Sequence, residues 1–144
     1  MWFGKRRALT NNLVTLLASV HSTTERLVEW MRTDAALVRY ALRNGGDADL
    51  TVPNDDLRML LAEQLAAILM AKENVMLLQG RKHLFSINPI YVPIDPENLE
   101  ECVARIWAHM WPDCPYPRYE RLTPEQRYFC FGADGKKRFG PEPQ

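Results

Sequence analysis

Cys102, His109, Cys114 and Cys130 come closest to a metal-binding set in this 144-residue chain. Tetrahedral zinc takes paired thiolates and imidazoles at short spacing, as in Cys-x₂₋₄-Cys, because two ligands from one turn pre-form half of the site. Here the spacings are seven, five and sixteen residues. On a helix, Cys102 and His109 would stand two turns apart, ~10.5 Å along the axis. Buried free thiols are the simpler expectation. A Cys–His nucleophile would need Cys114 beside His83 or His109, and no flanking signature supports that pairing. The adjacent acids Asp55-Asp56 and Glu100-Glu101 sit where helices begin, a position at which carboxylates complement the helix dipole. No glycine-rich phosphate loop or nucleotide fingerprint occurs. A small zinc or Cys/His-dependent enzyme is therefore the weakest of three readings. No catalytic residue, cofactor or metal is expected.

Two basic clusters could contact phosphate: Lys5-Arg6-Arg7 near Trp2-Phe3, and Lys136-Lys137-Arg138 before Phe139. Short basic arms bind nucleic-acid backbones through their charge. Against this, the chain is neutral, with 18 basic and 18 acidic side chains. The charge is uneven. Residues 1–43 carry seven basic and three acidic groups, net +4, and residues 44–110 carry five and ten, net −5. Internal pairing of the first segment with the middle accounts for this without a polyanionic partner.

Any such groups must be positioned by helices. The stretch from Asn54 to Gln79 holds neither Gly nor Pro and is composed largely of strong helix formers. Pro53 before it, Asp55 and Asp56 in its first turn and Gly80 after it are start and stop signals. A surface helix carries one apolar stripe. By contrast Leu65-Ala66-Ala67-Ile68-Leu69-Met70-Ala71 is apolar all round, and Val75-Met76-Leu77-Leu78 repeats the pattern. This helix belongs at the centre of a bundle or at a subunit interface.

From Ala8 to Asn44 there is again no Gly or Pro. Leu9, Leu13, Leu16, Val20, Thr23, Leu27 and Trp30 step by four and three along one seam. Ser22-Thr23-Thr24-Glu25 matches a capping box, so the segment is one helix or two, and a break near His21-Ser22 is favoured. Glu25, Glu29 and Arg32 belong to a solvated outer face, and Asn44-Gly45-Gly46 closes the segment. Residues 84–94 are β-branched and aromatic but interrupted by Pro89 and Pro93, which suits an extended segment. Asp95-Pro96-Glu97 starts another helix, which continues through Leu99, Val103, Ile106 and Met110 and stops before Pro112. Thr123-Pro124-Glu125-Gln126 starts a short last one.

The expected fold is mainly α: a bundle of three to four main helices with a Pro-interrupted extended segment and an irregular tail. The helices fall near 8–43, 54–79, 96–111 and 124–130. Residues 1–131 form one domain, of which 1–7 are an arm, and 132–144 a flexible tail. Three unclustered cysteines do not make a secreted disulfide framework, and no run reaches the ~18 apolar residues of a membrane span. The cytoplasm is the expected compartment.

What stands out is adhesive surface. Four Trp and six Met are many for such a chain. A non-catalytic protein-binding role follows as the expectation: an assembly component, adaptor or inhibitor, a profile shared with phage and mobile-element accessory proteins. The partner would be a second copy, a different protein, or both, and the Leu9–Leu27 seam and the Leu65–Ala71 run are the candidate oligomer interface. A nucleic-acid accessory protein using the basic arms is the alternative. Trp2, Phe3, Trp111, Tyr116 and Phe139 are the expected contact residues, because large aromatics with little core around them anchor interfaces. For Trp111, covering its own helix is an equally good account.

Overall fold

A computed structural model describes residues 2–33, 55–81 and 92–132 of the chain. Among these residues there are four α-helices and two 3₁₀ turns, and no strand. The helices are α1 (Trp2–Thr33), α2 (Asp55–Leu78), α3 (Leu99–Met110) and α4 (Pro124–Phe131). The architecture is the mainly α bundle expected from the helical periodicities. None of the helices is long and apolar enough to cross a membrane.

α2 is the central element. It packs along α1 on one side and against α3 on the other. Ala62, Ala66, Ala67 and Ala71 are buried on it, and such small side chains let neighbouring backbones approach closely. Between Leu57 and Leu78 only Ile68, Lys72 and Val75 are exposed. The all-round apolar composition thus reflects a helix covered on nearly every side within one chain. Gly80 ends it with φ +76°. Its N–H donates to the Leu77 carbonyl at 3.0 Å and the Arg81 N–H to that of Met76 at 2.9 Å, the pair of bonds of a Schellman cap.

α1 differs from expectation at two places. Residues 2–7 are not a separate arm but the first turns of the helix, and no break occurs at His21-Ser22. The threonine hydroxyls along it are bonded within the helix. Thr23 Oγ1 lies 2.9 Å from the Ser19 carbonyl oxygen, and Thr24 Oγ1 lies 2.8 Å from that of Val20. Thr10 and Thr15 bond back to Arg6 and Asn11 in the same way. These four threonine hydroxyls each find an acceptor one turn earlier, within one continuous helix. This also lets Thr23 occupy the seam, where it is buried with Leu9 and Leu16. The seam faces α2 in antiparallel fashion. Gln64 Nε2 donates to Thr24 Oγ1 at 2.6 Å, and Arg6 Nη1 lies 3.5 Å from the Leu78 carbonyl at the opposite end. The Leu9–Leu27 seam therefore packs on α2 of its own chain, with Leu9, Leu16 and Thr23 buried there.

The start of α3 is built as its residues demand. The Asp95 carboxylate accepts from the Glu97 N–H at 3.0 Å, and Pro96–Asn98 forms a 3₁₀ turn leading into the helix. α4 opens on a complete capping box: Thr123 Oγ1 accepts from the Gln126 N–H at 3.1 Å, and Gln126 Oε1 from the Thr123 N–H at 3.0 Å. Of the expected extended segment 84–94 only the last residues are described, and of the tail 132–144 only Gly132; the continuation of the first helix to residue 43 also lies outside the described residues.

Candidate interaction surface

The core gathers where α2, α3 and α4 meet the Pro-rich loop. Trp107 is fully buried, and its Nε1–H donates to the Cys114 carbonyl at 3.0 Å. Trp111 meets it edge-on at 5.0 Å between ring centroids and Tyr116 at 5.8 Å, both within the range of favourable aromatic pairs. Phe131 and Tyr119 extend the cluster. Tyr116 is only 2% exposed, so its ring is core and not a surface anchor. Burial and its hydrogen bond to Glu100 push its hydroxyl pKa well above the ordinary phenol value. Trp111 is half-buried over Trp107, with the Arg58 guanidinium 6.0 Å from its ring; it covers its own helix.

A polar knot lies beside this cluster. Arg118 reaches Glu63 at 3.4 Å, Glu100 at 3.2 Å and the Met59 sulfur at 2.7 Å. The Nε–Glu100 contact is an ion pair whose angle does not make a hydrogen bond. Tyr116 O–H donates to the same Glu100 oxygen. Arg26 of α1 approaches Glu63 at 3.7 Å. Arg118 thus ties together α2, α3 and the Pro-rich loop, and the Arg26–Glu63 pair is a contact of the expected kind between the basic first segment and the acidic middle.

A second polar contact holds the stretch of chain before α3. Asn74, fully buried, donates to the Ile94 carbonyl at 2.9 Å and to that of Met70 at 2.8 Å. Asn12 of α1 donates to the same Ile94 oxygen at 3.4 Å. These asparagines escaped the sequence reading, since an isolated Asn in a helix gives no sign of the carbonyl it will meet.

The thiols and imidazoles are not assembled into a site. Cys102 and Cys130 are buried, and His109, although on the same helix as Cys102, is exposed. Burial pushes both thiols up to about 12, an effect that Arg105 partly opposes. Neither has the low pKa of a nucleophile at neutral pH. Among the described residues no three His, Cys, Asp or Glu side chains come together in a way that could hold a metal ion. His83 lies outside the described residues.

The surface is where unexplained apolar residues remain. α1 has three sides. One is the buried seam, and one is mostly polar, with Asn11, Thr15, Ser22 and Glu29. The third carries Phe3, Val14, Leu17, Val28 and Met31, all exposed, with Phe3 at 78% and Val14 at 63%. Trp2, 46% exposed, borders it. A separate exposed pair, Tyr128 and Phe129, stands on α4, with the Arg105 guanidinium 5.8 Å from the Phe129 ring. Lys5, Arg6 and Arg7 are exposed on the first turns of α1. Phe139 and the cluster Lys136, Lys137 and Arg138 lie outside the described residues. No protein-family model matches the chain, and no curated protein and no solved structure matches it.

Proposed function

We propose that this chain is a non-catalytic protein-binding protein, acting as an assembly component, adaptor or inhibitor. One observation carries the reading. The seam of α1 already covers α2, yet a second side of α1 presents Phe3, Val14, Leu17, Val28 and Met31 to solvent. Single exposed apolar residues are ordinary, whereas a row of them along one helix marks a contact surface. Phe3 and Trp2, expected as contact residues, belong to that row and its border. Tyr128 and Phe129 form a second, smaller candidate.

Affinity capture from the source cell with the wild-type chain and with a Val14→Asp/Leu17→Asp variant tests the reading. A specific protein retained by the first and lost by the second supports it. Salt-resistant retention separates an apolar contact from phosphate binding, which weakens steeply with salt. Sub-micromolar, salt-sensitive DNA binding that disappears with Lys5, Arg6, Arg7, Lys136, Lys137 and Arg138 changed to Ala would replace it with the nucleic-acid role.

A further inference from the structure

Four of the five residues in the exposed apolar row on α1 are symmetric in sequence; Met31 has no counterpart. Phe3, Val14, Leu17 and Val28 are spaced eleven, three and eleven residues apart. Eleven residues make about three helical turns, which keeps all four on one side. Reversing the helix end for end about the point between Thr15 and Leu16 superimposes these four on one another. Phe3 then lies opposite Val28, and Val14 opposite Leu17. Thr10 and His21, exposed on the same side, also exchange places.

We propose that this face pairs with the same face of a second copy, α1 against α1 in antiparallel orientation about a two-fold axis. This rests on the protein-binding reading and names its partner. Isologous contacts require a surface complementary to itself under a two-fold, and an antiparallel palindrome of apolar residues meets that condition. Charge placement agrees. Arg7 and Glu25 are about five turns apart and so share one edge of the row. They sit almost equally far from the midpoint, so each Arg7 comes beside the Glu25 of the other copy. The edge carrying them is the same edge in both copies, and the arrangement gives two ion pairs per dimer. Two hydroxyls on this side tolerate being covered, and His21 lies 3.0 Å from Glu25 of its own chain. Thr10 Oγ1 donates to the Arg6 carbonyl at 2.9 Å and Thr24 Oγ1 to that of Val20 at 2.8 Å, so neither hydroxyl proton depends on water. Covering Phe3, Val14, Leu17, Val28 and Met31 in both copies removes on the order of 1,000 Å² from solvent, the lower bound of specific interfaces.

Sedimentation equilibrium of the full chain tests this. The expected species at tens of micromolar is a dimer. Val14→Asp and Leu17→Asp, each present twice in a two-fold interface, should raise its dissociation constant at least ~30-fold. Because both positions are exposed, the circular dichroism spectrum and urea midpoint of the isolated chain should not change. Orientation is read by disulfide trapping in a Cys114→Ser background. A mixture of Phe3→Cys and Val28→Cys chains should cross-link as a heterodimer, and neither should cross-link alone. A monomer at high micromolar concentration overturns the proposal, as does a dimer that both Asp variants leave intact. Self-linking of Phe3→Cys chains overturns the antiparallel arrangement. A monomer whose capture of a different protein is still lost in the Val14→Asp/Leu17→Asp variant would refute self-pairing while leaving the protein-binding reading in place.

Discussion

Arg118 holds the polar knot, and its replacement by Met gives the sharpest test of the fold's electrostatics. The side chain is 19% exposed, Glu63 20% and Glu100 27%, so the ions are partly but not wholly withdrawn from water. At 3.2 and 3.4 Å and an effective dielectric of about 20, each pair has a gross attraction of ~5 kcal/mol. Most of that offsets desolvation. What a variant exposes is the cost of leaving Glu100 without its cation and Glu63 with only Arg26, at 3.7 Å. For fully buried pairs that cost is about 3–5 kcal/mol, and the residual solvent access here reduces it to roughly 2–3 kcal/mol. Met keeps much of the aliphatic volume over the Tyr116 ring, so packing loss is small. The Arg118→Met chain should lose that stability in urea unfolding at neutral pH, with an unchanged m-value. Adding Glu63→Gln and Glu100→Gln removes the stranded charges and should restore at least ~1 kcal/mol of it. The reasoning fails if Arg118→Met costs less than ~0.5 kcal/mol, the usual range for surface substitutions. It also fails if the triple variant is less stable than the single one.

Trp107→Ala should cost about 3–5 kcal/mol, because it removes a fully buried indole and strands the Cys114 carbonyl; thermal unfolding measures the loss. Thr123→Ala breaks the capping box of α4 and should cost about 1 kcal/mol by urea titration. Gly80→Ala should cost about 1 kcal/mol from backbone strain, because nothing lies within 4 Å of an added Cβ and the penalty comes from φ +76°. Stability should also fall at alkaline pH. The Cys102 thiol is held at about 12 against 9.0 for the free group, so above pH 9 the unfolded chain releases this proton while the native chain keeps it. The stabilisation is complete below pH 9 and is lost progressively up to about pH 12, by at most ~1.4 kcal/mol per pH unit. Cys102→Ala should flatten that slope in urea midpoints measured at about pH 8 and about pH 10.5.

Local rules made several elements legible in the chain itself. The α2 span, its glycine stop, the Asp95-Pro96 start and the Thr123–Gln126 box all depend on residues within a few positions of each other, and each appears where those residues place it. The seam of α1 was legible for the same reason, since a period of three and four residues marks which side is covered. What the seam would cover was not. An apolar helix face is satisfied equally by α2 of its own chain or by another chain, and only the tertiary packing assigns it to α2. The break near Ser22 is a similar case: Ser-Thr-Thr-Glu matches a capping box, yet Thr23 and Thr24 bond to carbonyls one turn back and α1 runs through unbroken. Tyr116 stands between two prolines, a context that suggests exposure, and is buried because the loop folds its ring against Trp107 and its hydroxyl onto Glu100. Arg118, Asn12 and Asn74 left no trace in periodicity because their partners are tens of residues away in sequence. The helices are thus a property of the sequence by itself, through short-range hydrogen bonding and side-chain period. Which polar groups meet in the interior, and which apolar side of α1 stays in solvent, are decided only when distant segments pack together.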